Sequence, residues 1–108
     1  QEVIILSKIP TFQDLQRKMT NFNLSDYQAT ICKNIKRIRK ELYEENKTYY
    51  KENNLMNPYS SQSIAELLGI SHEYYKRLES FDKSKPISIK LFLKVVVLFD
   101  RNIDEYFI

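Results

Sequence analysis

The chain of 108 residues contains a single glycine, Gly69, which lies between two short amphipathic segments. Glycine adopts positive φ at little steric cost, and a tight turn after a helix demands that conformation. Apolar residues stand at helical spacing on both sides of it: Ile64 and Leu68 before the glycine, then Ile70, Tyr75 and Leu78 after it. This pattern predicts two helices joined by a tight turn at Gly69.

Two neighbours of the glycine support this prediction. Ala65 lies four residues before Gly69, and its small side chain lets the second helix cross close over the first. Ser71 follows the turn, and its hydroxyl can accept hydrogen bonds from the free amides of a helix that begins at His72. We therefore expect the second helix over residues 72–80.

The segment 60–79 resembles the helix-turn-helix of the lambda-repressor-like family of DNA-binding proteins, the Cro or XRE type. Residues 34–41 look like the first helix of that family, 86–99 like its fourth and 102–107 like its fifth. The resemblance covers roughly residues 26–108. It implies an all-α fold, namely a five-helix lambda-repressor-like helix-turn-helix domain.

The resemblance also implies how the rest of the chain is organised. Residues 1–25 form an N-terminal extension, and residues 42–59 form an insertion between helices 1 and 2 of the domain. We expect the first helix to run longer than is usual in the family and to be followed by a loop that closes near Asn57 and Pro58. Ala65 and Gly69 shape the turn, and the arginine-glutamate pair of the family corresponds to Arg39 and Glu79.

By the same resemblance, the helix 72–80 lies in the major groove of duplex DNA and acts as the recognition helix. Lysine and arginine can donate to guanine O6 and N7, and glutamate can accept from cytosine N4. The residues expected to contact bases are Ser71, His72, Glu73, Lys76 and Arg77, with Arg77 placed between base and phosphate.

Contacts to the DNA backbone are expected from residues that can reach phosphate or sugar. These residues are Ser60, Ser61, Gln62, Tyr74, Lys83 and Lys85. Ser61 occupies the position at which the family commonly has a glutamine, and its shorter reach favours a phosphate contact over a base contact. Ser60 and Ser61 can equally serve as N-caps of their helix, while Tyr75 is expected in the core.

Charge leaves a second class of function open. The chain carries a net charge of +3, but residues 59–86 contain four basic and four acidic residues. A neutral recognition region weakens non-specific attraction to DNA, so a protein-interaction module on the same fold, antitoxin-like or an adaptor, remains an alternative. Such a module would bind its protein partner through the tyrosine-rich insertion 42–59 and the N-terminal segment.

The sequence does not favour an enzyme. It contains no glycine-rich phosphate loop, and its single histidine and single cysteine, Cys32, offer no metal cluster, so we expect neither metal nor cofactor. One cysteine suits a reducing compartment, and no signal-peptide pattern or long apolar run is present, so we expect a cytoplasmic protein without membrane association.

The N-terminal segment is expected to mediate homodimerisation. Residues 3–6 form a strongly apolar run that cannot be a stable strand alone. Thr11 can cap a short helix that carries Phe12, Leu15 and Met19, and Ser25 can cap the long first helix of the domain.

Overall fold

The computed structural model describes residues 9–108, and this part of the chain is helical and contains no strand. Its elements are α1 (Phe12–Thr20), α2 (Leu24–Glu45), α3 (Lys47–Glu52), α4 (Ser61–Leu68), α5 (His72–Glu79), α6 (Ile89–Phe99) and a 3-10 helix (Ile103–Phe107). The expected all-α class is therefore confirmed for the described residues. The apolar run at residues 3–6, assigned above to the dimerisation segment, lies outside them.

The hydrophobic core is built around the middle of α2. This helix packs against α5, α6 and the 3-10 helix, and α4 packs against α5 and α6. The buried apolar side chains are Ile31, Cys32, Ile35, Ile38, Ile64, Ala65, Leu68, Tyr75, Leu78, Ile87, Leu91, Val95, Phe99 and Tyr106. They recur every three or four residues along each helix, so one side of every core helix faces inward.

The turn between α4 and α5 has the predicted conformation. Gly69 adopts φ 74°, in the left-handed region. Its N–H donates to the carbonyl of Glu66 at 3.1 Å, and the N–H of Ile70 donates to the carbonyl of Ala65 at 3.0 Å. These two bonds form a Schellman motif that satisfies carbonyls at the end of α4. A Cβ at Gly69 would meet nothing within 4 Å, so the glycine is required for its backbone conformation and not for space.

The N-caps follow the predictions at two helices and differ at a third. The Thr11 hydroxyl accepts from the N–H of Asp14, whose carboxylate accepts from the N–H of Thr11, so a capping box begins α1. Ser71 caps α5 as predicted. The prediction that Ser25 caps the long helix is wrong, because Asn23 does so and α2 begins one residue before Ser25.

The insertion contains a helix that was not predicted. The helix α2 continues to Glu45, and after Asn46 the short helix α3 occupies the part expected to be loop. No Gly or Pro interrupts this stretch, which allows the helical conformation to resume. The loop that follows closes at Asn57, as expected, where the side-chain amide donates to the carbonyl of Tyr43 at 2.9 Å.

The C-terminal element differs from the expected fifth α-helix. It is a 3-10 helix, and it is attached to α2 by polar contacts. Buried Asn34 donates to the carbonyls of Tyr106 at 3.0 Å and Ile108 at 3.3 Å, and Arg37 donates to the carbonyl of Glu105 at 2.9 Å. These bonds satisfy carbonyls that a short helix leaves without partners.

Candidate nucleic-acid interface

The outer side of α5 presents polar side chains, while its inner side is buried in the core. Tyr75 and Leu78 point inward, and Glu73, Lys76 and Arg77 are exposed on the opposite side. The predicted helix 72–80 is observed as His72–Glu79, with Ser80 just beyond its end. The geometry therefore brings three of the five residues expected to contact bases, Glu73, Lys76 and Arg77, onto one exposed face.

Two of these residues form an ion pair with each other. Arg77 Nη2 lies 3.1 Å from Glu73 Oε1, one helical turn apart on α5. Exposed pairs of this kind contribute about 0.3–0.5 kcal/mol, so Arg77 can exchange Glu73 for another anion at little cost. Both side chains can therefore also bind other charged or polar groups.

A hydrogen bond connects the starts of α4 and α5. Ser61 Oγ and His72 Nε2 lie 2.8 Å apart, and both side chains are half-buried. The contact joins the first residues of the two helices and engages the serine hydroxyl and one imidazole nitrogen. Eleven positions separate them in the chain, and the sequence carried no signal for this contact.

The other two serines act as N-caps. Ser60 Oγ accepts from the N–H of Ser63 at 3.2 Å, and Ser71 Oγ accepts from the N–H of Tyr74 at 3.0 Å. Their hydroxyls are therefore engaged within the chain. The amides of Ser61 and Gln62, in the first turn of α4, have no acceptor within the helix and carry partial positive charge, which makes them possible donors to an anion. Gln62 is exposed in the first turn of α4, beside these amides.

A buried ion pair fixes the far end of α5. Arg39 on α2 donates through Nε and Nη2 to the two carboxylate oxygens of Glu79, with the Nη2 bond at 3.0 Å, and through Nη1 to the carbonyl of Tyr59 at 3.2 Å. The two side chains are only 11% and 7% exposed. The predicted pair is thus present, and it joins α2, the end of α5 and the residues before α4.

Burial alone would lower the pKa of Arg39, but the hydrogen bonds and negative charge of Glu79 outweigh it and raise that pKa. Tyr75 lies next to the same pair. Burial, assisted by the carboxylate of Glu79, raises the pKa of the Tyr75 hydroxyl far above its usual range. Arg39 and the Tyr75 hydroxyl therefore each keep one charge state across the physiological pH range.

The two tyrosines on α5 have different environments. Tyr75 is fully buried, as the sequence predicted. Tyr74 packs against the edge of the core and stays half-exposed. Tyr74 lines a small cavity near the turn together with Ile70 and Lys94.

Lys83 and Lys85 are both exposed in the turn between α5 and α6. Asp82 shapes this turn, because its Oδ1 accepts from the N–H of Ser84 at 2.9 Å and from the Ser84 hydroxyl at 2.6 Å. These hydrogen bonds lower the pKa of Asp82. The turn therefore has a defined conformation that presents two cations just beyond α5.

Sequence reasoning missed a second surface, which lies between α4 and α6. Leu67, Leu93 and Val97 line an apolar groove there, flanked by Lys90 and Lys94. The spacing of Leu93 and Val97 on α6 could have indicated it, since residues four apart share a helix face. We call this surface the α4/α6 groove.

Within residues 9–108, no group of three or more His, Cys, Asp or Glu side chains is arranged to hold a metal ion. The same stretch includes no helix with the length and apolarity needed to cross a bilayer. Comparison of the chain with protein-family models, with curated proteins and with solved structures found no match. The resemblance to the lambda-repressor-like family therefore stays a prediction from the sequence.

Proposed function

We propose that this chain is a sequence-specific duplex-DNA-binding protein of the lambda-repressor-like, Cro or XRE type, and that it acts as a transcriptional regulator. One arrangement carries the proposal: α4 and α5 meet at a left-handed glycine, and the buried Arg39–Glu79 pair anchors α5 so that its polar face stays exposed. In this fold type a helix held in that way enters the major groove with its N-terminal turn against base edges.

The polar face of α5 carries hydrogen-bond donors and acceptors that complement those on base edges. Lys76 can donate to guanine O6 or N7, and Glu73 can accept from cytosine N4, each worth about 1–3 kcal/mol of discrimination. His72 and Ser71 begin the helix, where the closest approach to bases occurs. Because the Arg77–Glu73 pair is exposed, Arg77 can move to a phosphate when DNA approaches.

Contacts to the DNA backbone fix the position of such a helix along the groove but do not read the base sequence. We assign these contacts to Lys83 and Lys85 on the turn after α5, and to Gln62 with the free amides at the start of α4. Ser60 keeps its capping role, and Ser61 acts through its bond to His72. Tyr74 can pack its exposed edge on a sugar.

The proposal is tested by selecting bound sequences from a random duplex library at about physiological salt. The triple variant His72→Ala, Glu73→Ala, Lys76→Ala is run beside the wild type. A control variant, Lys51→Ala with Glu52→Ala, removes exposed charges on α3, and unchanged circular dichroism shows that each variant is folded. We expect the wild type and the control to enrich one motif and the triple variant to lose it. No enrichment by the wild type would refute the proposal.

The second candidate function, a protein-interaction module such as an antitoxin-like or adaptor domain, is favoured by a different observation. The α4/α6 groove exposes apolar side chains, and the insertion exposes Tyr49, Leu55 and Met56. Apolar patches of this kind mark contact sites for other proteins. The library selection separates the two functions, because a module that binds only protein enriches no sequence.

A further inference from the structure

The walls of the α4/α6 groove are apolar and uncovered. Leu67 on α4 is 60% exposed, and Leu93 and Val97 on α6 are 49% and 79% exposed. Buried Leu68 and half-buried Leu98 also line the groove, which has a volume of about 470 Å³. Both helices pack into the core through their other sides, so the groove exists before anything binds to it. An exposed apolar surface of this kind marks a contact site.

The charges at the groove are all positive. Lys90 and Lys94 lie one turn apart on α6, and both are exposed beside the apolar walls. No acidic residue lines the groove, and within residues 9–108 neither lysine forms an ion pair. The groove therefore attracts a partner with negative charge beside its apolar surface and repels a basic one.

The shape of the groove favours a helix as the occupant. Sites for small molecules bury about 70–90% of the ligand, and walls on which Leu67 and Val97 stay more than half exposed are too open for that. A bilayer is flat on this scale and would touch only the two ridges. An extended peptide usually pairs with the edge of a sheet, and the described residues contain no strand. A helix is convex and can lay its apolar face between α4 and α6.

We propose that the α4/α6 groove binds an acidic amphipathic helix of another protein. Large apolar side chains of that helix fill the space between the two walls. Carboxylates one turn apart on its flank pair with Lys90 and Lys94, whose positions differ by four residues and hence by about 6 Å along α6. The lysine stems can lie on the apolar surface while their ammonium groups reach the rim. The 11 residues of α6 span about 16 Å, enough for roughly three turns of the partner.

The proposal is tested by selecting binders of the full chain from a displayed library of helix-forming peptides of about 16 residues, a length at which an isolated helix can form. We expect the enriched peptides to carry large apolar side chains at helical spacing and more acidic than basic residues beside them. No enrichment would overturn the proposal, and so would enriched peptides without an acidic excess. The experiment contains no DNA, so its failure leaves the proposed DNA binding standing, and the reverse also holds.

Calorimetric titration of the most enriched peptide against variants of the full chain locates the site. Lys90→Glu with Lys94→Glu turns two attractive pairs into repulsive ones and should weaken binding about tenfold or more. Val97→Asp should weaken it as well, because it places a carboxylate in the groove. The matched control, Lys47→Glu with Lys51→Glu, makes the same charge change at the same spacing on α3 and should bind like the wild type. Equal weakening by the two double variants would overturn the proposal, since it would show attraction to net charge alone.

The substituted side chains are all exposed, so circular dichroism and thermal unfolding of the variants should match the wild type. Two other occupants would give different results. Binding of the chain to phosphatidylglycerol vesicles that Leu93→Asp abolishes would identify a membrane surface. Self-association of the chain that Leu93→Asp abolishes would identify a second copy. Either result in place of peptide binding would overturn the proposal.

Discussion

The Arg39–Glu79 pair allows the sharpest test of how α5 is held. Glu79→Gln keeps the shape of the side chain but leaves the guanidinium of Arg39 buried without a counter-charge. Both side chains are almost fully enclosed, at 11% and 7% exposure, so solvent cannot replace the lost carboxylate. Removing one partner of a buried pair costs about 3–5 kcal/mol of unfolding free energy. For a domain of this size that is a drop in Tm of roughly 12–40 °C.

The assay is urea and thermal unfolding followed by circular dichroism. Glu73→Gln breaks the exposed pair on the same helix and serves as the control, with an expected change within about 0.5 kcal/mol. The double variant Arg39→Met, Glu79→Leu removes both charges and should recover most of the loss, because an apolar pair avoids the desolvation penalty. A loss below about 1 kcal/mol for Glu79→Gln would show instead that the pair is hydrated or unimportant for α5.

Three further outcomes follow from local contacts. Gly69→Ala should lower the free energy of unfolding in urea by about 1–2 kcal/mol, because the new Cβ has space but alanine adopts positive φ only with strain. An unchanged unfolding midpoint would contradict the assigned turn. Ser71→Ala should cost about 1 kcal/mol by loss of the cap on α5, and Ser71→Asp should restore stability; equal losses in both variants would argue against a capping role. The hydrogen bonds from Thr11 lower the pKa of Asp14 in the folded state, so the capping box should be intact above the usual carboxyl pKa and should be lost as pH falls through the lower folded pKa. NMR chemical shifts of the α1 amides measure this loss, and shifts that do not move on acidification would contradict it.

Local signals in the sequence predicted local structure well. Gly69, Ser71 and Thr11 act within three or four residues of themselves, and each has the predicted role in a turn or a cap. The N-cap of α2 differs because Asn23 and Ser25 are both good caps two positions apart, and propensity alone does not choose between them. The helix α3 was not predicted for a similar reason. Helix propensity is a weak signal, and the resemblance to a family with a shorter connection between its first two helices favoured a loop.

Contacts between distant parts of the chain could be predicted only where the family resemblance implied them. The Arg39–Glu79 pair was predictable because the family that the chain resembles has such a pair. The Ser61–His72 bond depends on how closely α4 and α5 cross, and no pattern within either helix encodes that distance. The hydrogen bonds from Asn34 to the C-terminal carbonyls join residues more than 70 positions apart, so sequence periodicity could not predict them either.

The most direct test of base reading by α5 is equilibrium binding of the selected duplex and its single-base variants to the wild type and to Lys76→Ala. If Lys76 reads a base, Lys76→Ala loses about 1–3 kcal/mol of discrimination at one base pair and keeps the preferences at the others. Equal weakening on every duplex would instead place Lys76 on the DNA backbone. Equal affinity of the wild type for all duplexes would contradict the central claim that this chain reads DNA sequence.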